Sequence, residues 1–313
     1  MPLSVIIPVY NEVESLSQLY TSIIEALNER TFEIIFVNDG SIDGSDAFLN
    51  ELADSDQRIK VIHFVRNYGQ TAALSAGIKL ASHETLITMD ADGQNDPSDI
   101  PMLLEKLKDA DVVCGWRKNR KDTFLTRTLP SKIANWLISK LSKVHLHDYG
   151  CTLRAYKRPY IQDIPLYGEM HRFIPIYVTW AGAKVVETPV KHHPRRKGVS
   201  KYGLWRIPKV LLDLTTLKFL RDFFVTPIYF FGLVGVSFSL IGLIVGCVDV
   251  ALWLDGRHIE LAAALAVLAP IMIILGVVEI TLGIIAEVLI RMHHEHQNKA
   301  PYRIGETKNL KAD

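Results

Sequence analysis

Residues 84–97 read ETLITMDADGQNDP. An apolar, β-branched lead-in runs into Asp90, Asp92 and Asp96, three acids within one short turn. Carboxylates gathered at the end of a strand repel one another and cost energy unless a cation or a set of donors compensates them. A D-x-D pair also occurs in solvated turns and helix caps, and Asp96 before Pro97 reads as an N-cap with proline at the first helical position. Asp90 and Asp92, two residues apart, can both reach one hard ion, with Gln94 adding a neutral oxygen. Mg²⁺ or Mn²⁺ prefers such ligands and keeps coordination positions open for phosphate oxygens.

The same strand-then-polar pattern recurs upstream and downstream. LSVIIPV, FEIIFVN, IKVIHFV, ETLITMD and ADVVCGW are separated by amphipathic stretches of helical period. That alternation predicts an α/β fold with a mainly parallel sheet covered by helices on both faces. Ligands of such sheets collect beyond the carboxyl ends of the strands. Each run ends in polar residues there: Asn11 and Glu12, Asn38 and Asp39, Arg66 and Asn67, Asp90 and Asp92, and Arg117.

With 313 residues and 49% hydrophobic content the chain is long enough for a sizeable core and a second element. Thirty-five basic residues against 34 acidic ones leave a net charge of +1, which excludes bulk-charge capture of nucleic acid. Cys114, Cys151 and Cys247 lack CxxC spacing, so neither a disulfide framework nor a zinc site is expected. The N-terminal MPLSVIIPVYNE has no secretory pattern, so the N-terminal part is expected in the cytosol.

Past residue 222 the composition changes. Residues 225–254 carry a single charge, Asp249, and residues 261–290 carry two, Glu279 and Glu287. Both runs exceed the roughly twenty residues that cross a bilayer. Spans are therefore expected at 223–254 and 261–291, with a tail over 292–313. Lys209, Lys218 and Arg221 precede the pair, and Arg291, Lys299, Arg303, Lys308 and Lys311 follow it, so both termini are expected on the cytosolic side of the plasma (inner) membrane. Residues 203–222 place Leu204, Ile207, Leu211, Leu214, Leu217 and Phe219 near helical spacing among Arg206, Lys209, Lys218 and Arg221. Such a helix suits the membrane interface or the surface of the soluble domain, and its place directly before a span favours the interface. Gly242 and Gly246 form a small-xxx-small pair, the basis for expecting a homo-oligomer through the spans.

Six segments, taken in order, resemble the family 2 glycosyltransferases of the GT-A fold, and specifically the polyprenyl-phosphate glycosyltransferases. That group includes dolichol-phosphate mannose synthases and bacterial undecaprenyl-phosphate glucosyltransferases. The segments are VIIPVYNE at 5–12, FVNDGSIDGS at 36–45, RNYGQTAALSAG at 66–77, MDADGQNDP at 89–97, GWR at 115–117 and RRKGVSKYG at 195–203. The resemblance implies a Rossmann-like GT-A domain over 1–202 and, by analogy with bacterial members, a two-span anchor. It places Pro8, Tyr10, Asn11, Glu12, Asp39, Asn67, Gly69 and Asp90 around a nucleotide sugar, and a divalent metal on Asp90, Asp92 and Gln94. Arg117 matches the basic residue beside the donor phosphate. Arg195, Ser200 and Lys201 match an R-x-x-G-x-S-K loop for acceptor phosphate, with Arg127 and Lys132 as weaker candidates. Asp92 and Arg117 are expected to be catalytic. So are Asp148 and Glu169, as ligands of sugar hydroxyls or as a base, although a phosphate nucleophile, largely ionised near neutral pH, needs little from a base.

The implied reaction moves one hexose, with inversion, from a nucleotide sugar to a polyprenyl phosphate held at the lipid bilayer. UDP-glucose is the first expectation and GDP-mannose the alternative. A sugar-phosphate nucleotidyltransferase is a rival, but VIIPVYNEVES lacks an early Gly-rich phosphate loop. A non-catalytic nucleotide-sugar sensor is the other.

Overall fold

The computed structural model describes residues 1–118, 138–140, 142, 144–164, 166, 170–194, 227–256, 259–295 and 304–309. The chain divides into two units, residues 1–213 with 300–313, and residues 214–299. In the first, eight strands form one sheet: β1 (Leu3–Val9), β2 (Phe32–Asn38), β3 (Ile59–Phe64), β4 (Thr85–Thr88), β5 (Val112–Trp116), β6 (Arg154–Lys157), β7 (Val185–Pro189) and β8 (Ile304–Lys308). Their order is β7-β5-β6-β4-β1-β2-β3-β8.

β1 pairs in parallel with both β2 and β4, β2 with β3, and β5 with β7. The expected parallel core is present, but β6 runs antiparallel between β4 and β5, and β8 runs antiparallel along β3. Because β1 has one crossover neighbour on each side, the strand order reverses there, and a crevice opens beyond its carboxyl end.

Burial explains the layers. In α1 (Val13–Leu27), Leu16, Leu19, Ile23 and Leu27 recur at helical spacing and are buried. They join Leu3, Val5, Ile7 and Val9 of β1 and residues of α2 (Ser45–Ser55) and α4 (Ile100–Lys106) in the main core. The opposite face takes α3 (Gln70–Leu80), whose Ala72, Ala73, Ala76 and Gly77 are small enough to lie against β1 and β2. α5 (Ile174–Trp180) buries Ile174, Pro175, Ile176 and Val178.

At the amino-terminal end of the sheet, Glu33 is buried and fully occupied. It accepts from Ser4 Oγ at 2.5 Å and from the Ser82 amide at 2.6 Å, and it pairs with Lys60. Burial alone would raise its pKa, but Lys60, Ser4 and Ser82 outweigh burial and hold it below its ordinary value. Buried Cys114 and Cys151 are pushed up to about 12 and about 11 by burial, so they serve as inert apolar residues, as their spacing implied.

The second unit is a helical hairpin, α6 (Pro227–Asp255) and α7 (Ile259–Glu295), each long and apolar enough to cross a membrane. Glycines set its packing. A Cβ on Gly235 would stand 2.5 Å from the Gly276 carbonyl oxygen, and one on Gly242 would stand 2.9 Å from that of Ala269. Gly246 has only an ordinary contact with Ala269. The small-residue pair at 242 and 246 thus faces its own partner in the hairpin, which removes it as an argument for contact between copies. The expected interface helix over 203–222 lies outside the described residues.

Replacement of Glu33 by Gln is expected to lower the unfolding free energy at pH 7 by about 1–3 kcal/mol, the cost of degrading a buried charged hydrogen-bond set. Because the folded pKa lies below the ordinary 4.5, this contribution is present above that value and lost as pH falls through the folded pKa. Urea unfolding of the full chain in detergent should therefore show the gap between wild type and variant closing below about pH 4.5.

Candidate active site

The loops after β1 and β2 are stitched together. Asn11 adopts a left-handed backbone with φ 53°. Its Oδ1 accepts from the Ile42 amide at 2.8 Å, and its own amide donates to Ser41 Oγ at 3.0 Å. The Val13 amide donates to Asp43 Oδ2 at 3.0 Å. Pro8 is half-buried within β1, whereas Tyr10 leaves its ring exposed at the rim.

Asp39 anchors the third loop. Its two oxygens accept the amides of Tyr68 and Gly69 at 2.6 and 2.9 Å, while burial raises its pKa against those bonds. Gly40 follows with φ 70°, and a Cβ there would stand 2.6 Å from the Arg66 carbonyl carbon, so only glycine allows the two loops to touch. Asn67 sits exposed on the same loop, and Arg66 stacks on the Tyr68 ring at 4.4 Å.

Asp90 lies recessed beyond β4 and accepts from Gln70 Nε2, at the start of α3, at 2.7 Å. Burial, and after it the neighbouring charge of Asp92, pushes its pKa up to about 6. Hydrogen bonding from Thr152 and the charge of Arg117 act in the opposite direction. Asp92 Oδ1 accepts the Gln94 amide at 3.1 Å across a turn in which Gly93 has φ 69°.

Asp96 has a different task. Burial opposes its ionisation, but Ser98, His193 and Lys191 hold it at about 2. Its side chain caps the turn Pro97–Asp99 by accepting the Ser98 amide, as its place before Pro97 predicts. His193 Nε2 lies 3.1 Å from the other Asp96 oxygen, and buried Asp99 accepts the Lys191 amide at 2.7 Å. The strand-like exit after β7 is thereby fixed to the end of the acid loop.

Arg117, at the end of β5, meets Asp148 in a two-point pair: Nε to Oδ2 at 2.7 Å and Nη2 to Oδ1 at 2.9 Å. The Gly150 amide adds a third donor to Asp148 at 3.0 Å. Burial would raise the Asp148 pKa, yet the Arg117 hydrogen bonds and charge lower it. A carboxylate held ionised with both oxygens engaged is a poor general base. The geometry makes Asp148 the group that orients Arg117.

Two contributors, Thr152 and Arg154, were not singled out from sequence. Thr152 bonds to Asp90 and accepts from Asn95 Nδ2 at 3.0 Å. Arg154 is buried and donates to the carbonyls of Tyr149 at 2.7 Å and His171 at 3.0 Å, tying the Asp148 segment to the Met170–Arg172 turn. His171 Nδ1 lies 2.8 Å from Thr71 Oγ1. Gln70 carried a signal in its place directly after Gly69 at a helix start. Thr152 carried none, because its partners Asp90 and Asn95 lie far away in sequence, and Arg154 carried none, because its partners are backbone carbonyls, which no residue type marks. Glu169, Arg127, Lys132, Arg195, Ser200 and Lys201 lie outside the described residues.

Among the described residues no group of three or more His, Cys, Asp or Glu side chains could hold a metal. Asp90 and Asp92 nevertheless fit a hard divalent cation, because adjacent carboxylates, one with a raised pKa, gain most from added positive charge. Further oxygens would come from Gln94 or from a bound diphosphate.

Comparison with known proteins completes the picture. Residues 4–164 match the family described as glycosyl transferase family 2. A dodecaprenyl-phosphate galacturonate synthase of Rhizobium johnstonii is 36% identical over 310 residues, spanning 96% of this chain and 91% of that one. An undecaprenyl-phosphate 4-deoxy-4-formamido-L-arabinose transferase of Salmonella choleraesuis is 35% identical over 305 residues, with coverage of 96% and 91%. A mannosyltransferase of Pyrobaculum calidifontis, solved with GDP-Man and Mn²⁺, superposes with a TM-score of 0.51 at 17% identity, over 96% of this chain and 81% of that one, a likeness of fold.

Asp148→Asn leaves the Arg117 guanidinium without its counter-charge and is expected to cost about 3–5 kcal/mol of stability, whereas the double variant Arg117→Met/Asp148→Leu should cost less. Denaturant unfolding of both variants checks this; a double variant that loses as much as Asp148→Asn or more would show that the unpaired guanidinium is not what costs the stability.

Proposed function

The chain belongs to glycosyl transferase family 2, and on that premise we propose that it transfers one sugar from a nucleoside diphosphate to the phosphate of a polyprenyl lipid at the cytosolic face of the inner membrane. The observation that carries this reading is the similarity at 36% identity across 96% of the chain, both apolar helices included, to a relative whose name specifies a dodecaprenyl-phosphate product. The site supports it: recessed acids, a two-point arginine and three stitched loops lie together at the carboxyl ends of parallel strands.

The roles follow from position. Tyr10, Asn11, Glu12 and the Asp39–Gly69 junction face the nucleotide, Tyr10 offering an exposed ring to the base and Glu12 an acceptor to the ribose. Asp90, Asp92 and Gln94 hold Mg²⁺ or Mn²⁺, which supplies Lewis-acid neutralisation of the diphosphate leaving group. Arg117, oriented by Asp148, adds a fixed guanidinium beside that diphosphate. Gln70 and Thr152 keep Asp90 aimed. The acceptor brings its own nucleophile, since a phosphate monoester is largely ionised at neutral pH. One in-line displacement from the face opposite the leaving group inverts the anomeric carbon. Arg195, Ser200, Lys201, Arg127 and Lys132 are the cations and donors we assign to the acceptor phosphate, and Glu169 remains our candidate for a sugar-hydroxyl contact.

For the sugar, UDP-glucose gives way as first choice to UDP-linked galacturonate or formamido-arabinose, because those are the sugars in the relatives' names. GDP-mannose is the remaining alternative. The membrane reading draws support from β8: it lies in the sheet of the catalytic unit although it follows both apolar helices, so an even number of crossings separates it from β1.

The test is transfer of labelled sugar into organic-extractable lipid by purified protein with undecaprenyl phosphate, offering each donor separately, with and without EDTA. Label from one UDP-sugar, abolished by EDTA, is the expected result. Asp92→Ala should lower turnover by a factor on the order of 10²–10³ with folding retained. Nucleotide binding without transfer from any donor would sink the enzyme reading and leave a sensor.

A further inference from the structure

The strand β8 is seated on the sheet more specifically than an edge cover requires. Val61 faces Lys308, Ile62 faces Thr307 and His63 faces Glu306, and the register shifts so that Phe64 faces Ile304. Lys308 Nζ reaches both Asp54 carboxylate oxygens at 2.8 Å. Asn309, in a left-handed backbone with φ 59°, donates its side-chain amide to the carbonyls of Ala53 at 2.8 Å and Ile59 at 2.9 Å. Gly305 lies so close to β3 that a Cβ would stand 3.2 Å from Val65 Cγ1 and 3.3 Å from the His63 carbonyl oxygen. A short polar strand suffices to blunt a sheet edge. Lys308 and Asn309 anchor one end of the ladder and the close approach of Gly305 constrains the other, and together they fix one register.

From that register two paths lead to the loops described above. Through side chains, His63 Nδ1 lies 3.0 Å from Asn38 Nδ2 and His63 Nε2 lies 3.2 Å from Asn50 Oδ1. Asn38 Oδ1 accepts the Ser41 amide, which fixes which end of Asn38 faces the ring, and the partners then assign a neutral imidazole with its proton on Nε2. Burial holds the His63 pKa below its ordinary value, in keeping with that neutral form. Ser41 Oγ in turn accepts the Asn11 amide. Through the backbone, Val65, beside Gly305, continues within a few residues to Tyr68 and Gly69, whose amides hold Asp39. The first path ends on Asn11, the second on Gly69 and Asp39.

We propose that β8 is a positioning strand for the donor nucleotide: the segment that follows the second apolar helix docks on β3 and fixes the loops that receive the base and ribose. This rests on the nucleotide-sugar reading of those loops. Since β8 touches none of the acid loop or Arg117, its loss should act on donor binding and spare the chemical step.

The experiment compares, in detergent or nanodiscs, the full chain, a chain ending at Arg303, and the double variant Lys308→Ala/Asn309→Ala. UDP and GDP affinities are measured by calorimetry and donor KM and kcat by lipid labelling. Expected is roughly tenfold weaker binding of the nucleotide that the full chain prefers and a matching rise in donor KM, with kcat and acceptor KM moving less than about threefold. The double variant should shift in the same direction by less. A peptide of residues 300–313 added in trans should restore the shortened chain, which a general loss of folding would not permit. Should the shortened chain fail to fold, the double variant decides: unchanged affinity together with faster amide exchange in β3 overturns the proposal. A folded shortened chain that binds nucleotide as tightly as the full chain overturns it also. A full chain that binds neither nucleotide overturns the nucleotide reading, and this inference with it.

Discussion

A carboxylate withdrawn from water must be met by donors or by positive charge, or its ionised form becomes too costly to keep. This chain withdraws several, and the way each is met sorts structure from function. Glu33 has Ser4, Ser82 and Lys60. Asp148 has Arg117 and the Gly150 amide. Asp39 has two backbone amides. Asp90 has Gln70 and Thr152 but also faces Asp92, a like charge, and is left under-compensated. The imbalance is local, and it marks where a cation would be most strongly held.

The sheet topology creates that imbalance. A purely parallel sheet would set β5 beside β4, but here β6 enters between them in the opposite sense. Its approach brings Asp148 to Arg117 and Thr152 to Asp90, both from a segment more than thirty residues after β5. Arg154, at the start of β6, then ties the two segments that flank the crevice by donating to Tyr149 and His171 carbonyls. One antiparallel strand thus serves both as sheet and as scaffold for the site.

Sequence reading reached the strands whose apolar character is continuous. LSVIIPV and FEIIFVN coincide with β1 and β2, and the runs for β3, β4 and β5 hold with small changes at their ends. It did not reach β6, β7 or β8. RAYK carries a buried arginine, and IGETK is mostly polar and lies at an edge, so neither shows the period of a buried strand. The acids of the site were legible because carboxylates crowded at strand ends are unusual. Their partners were not: that Asp148 is committed to Arg117 depends on a contact across thirty-one positions. Gly242 and Gly246 were visible as a close-packing pair, but periodicity alone does not name the helix they pack against.

The β3–β8 pairing also bears on how the protein is made. β3 leaves the ribosome early and its partner only after both apolar helices have been synthesised. During synthesis, domains generally fold from the amino terminus as units. The catalytic unit can therefore collapse around β1 to β7 while β3 still presents an open edge, and its sheet is finished only once the hairpin has emerged. Completion of the sheet thus follows synthesis of the apolar hairpin, and a polypeptide cut short within or before that hairpin leaves an unsatisfied strand edge that distinguishes it from one carrying β8.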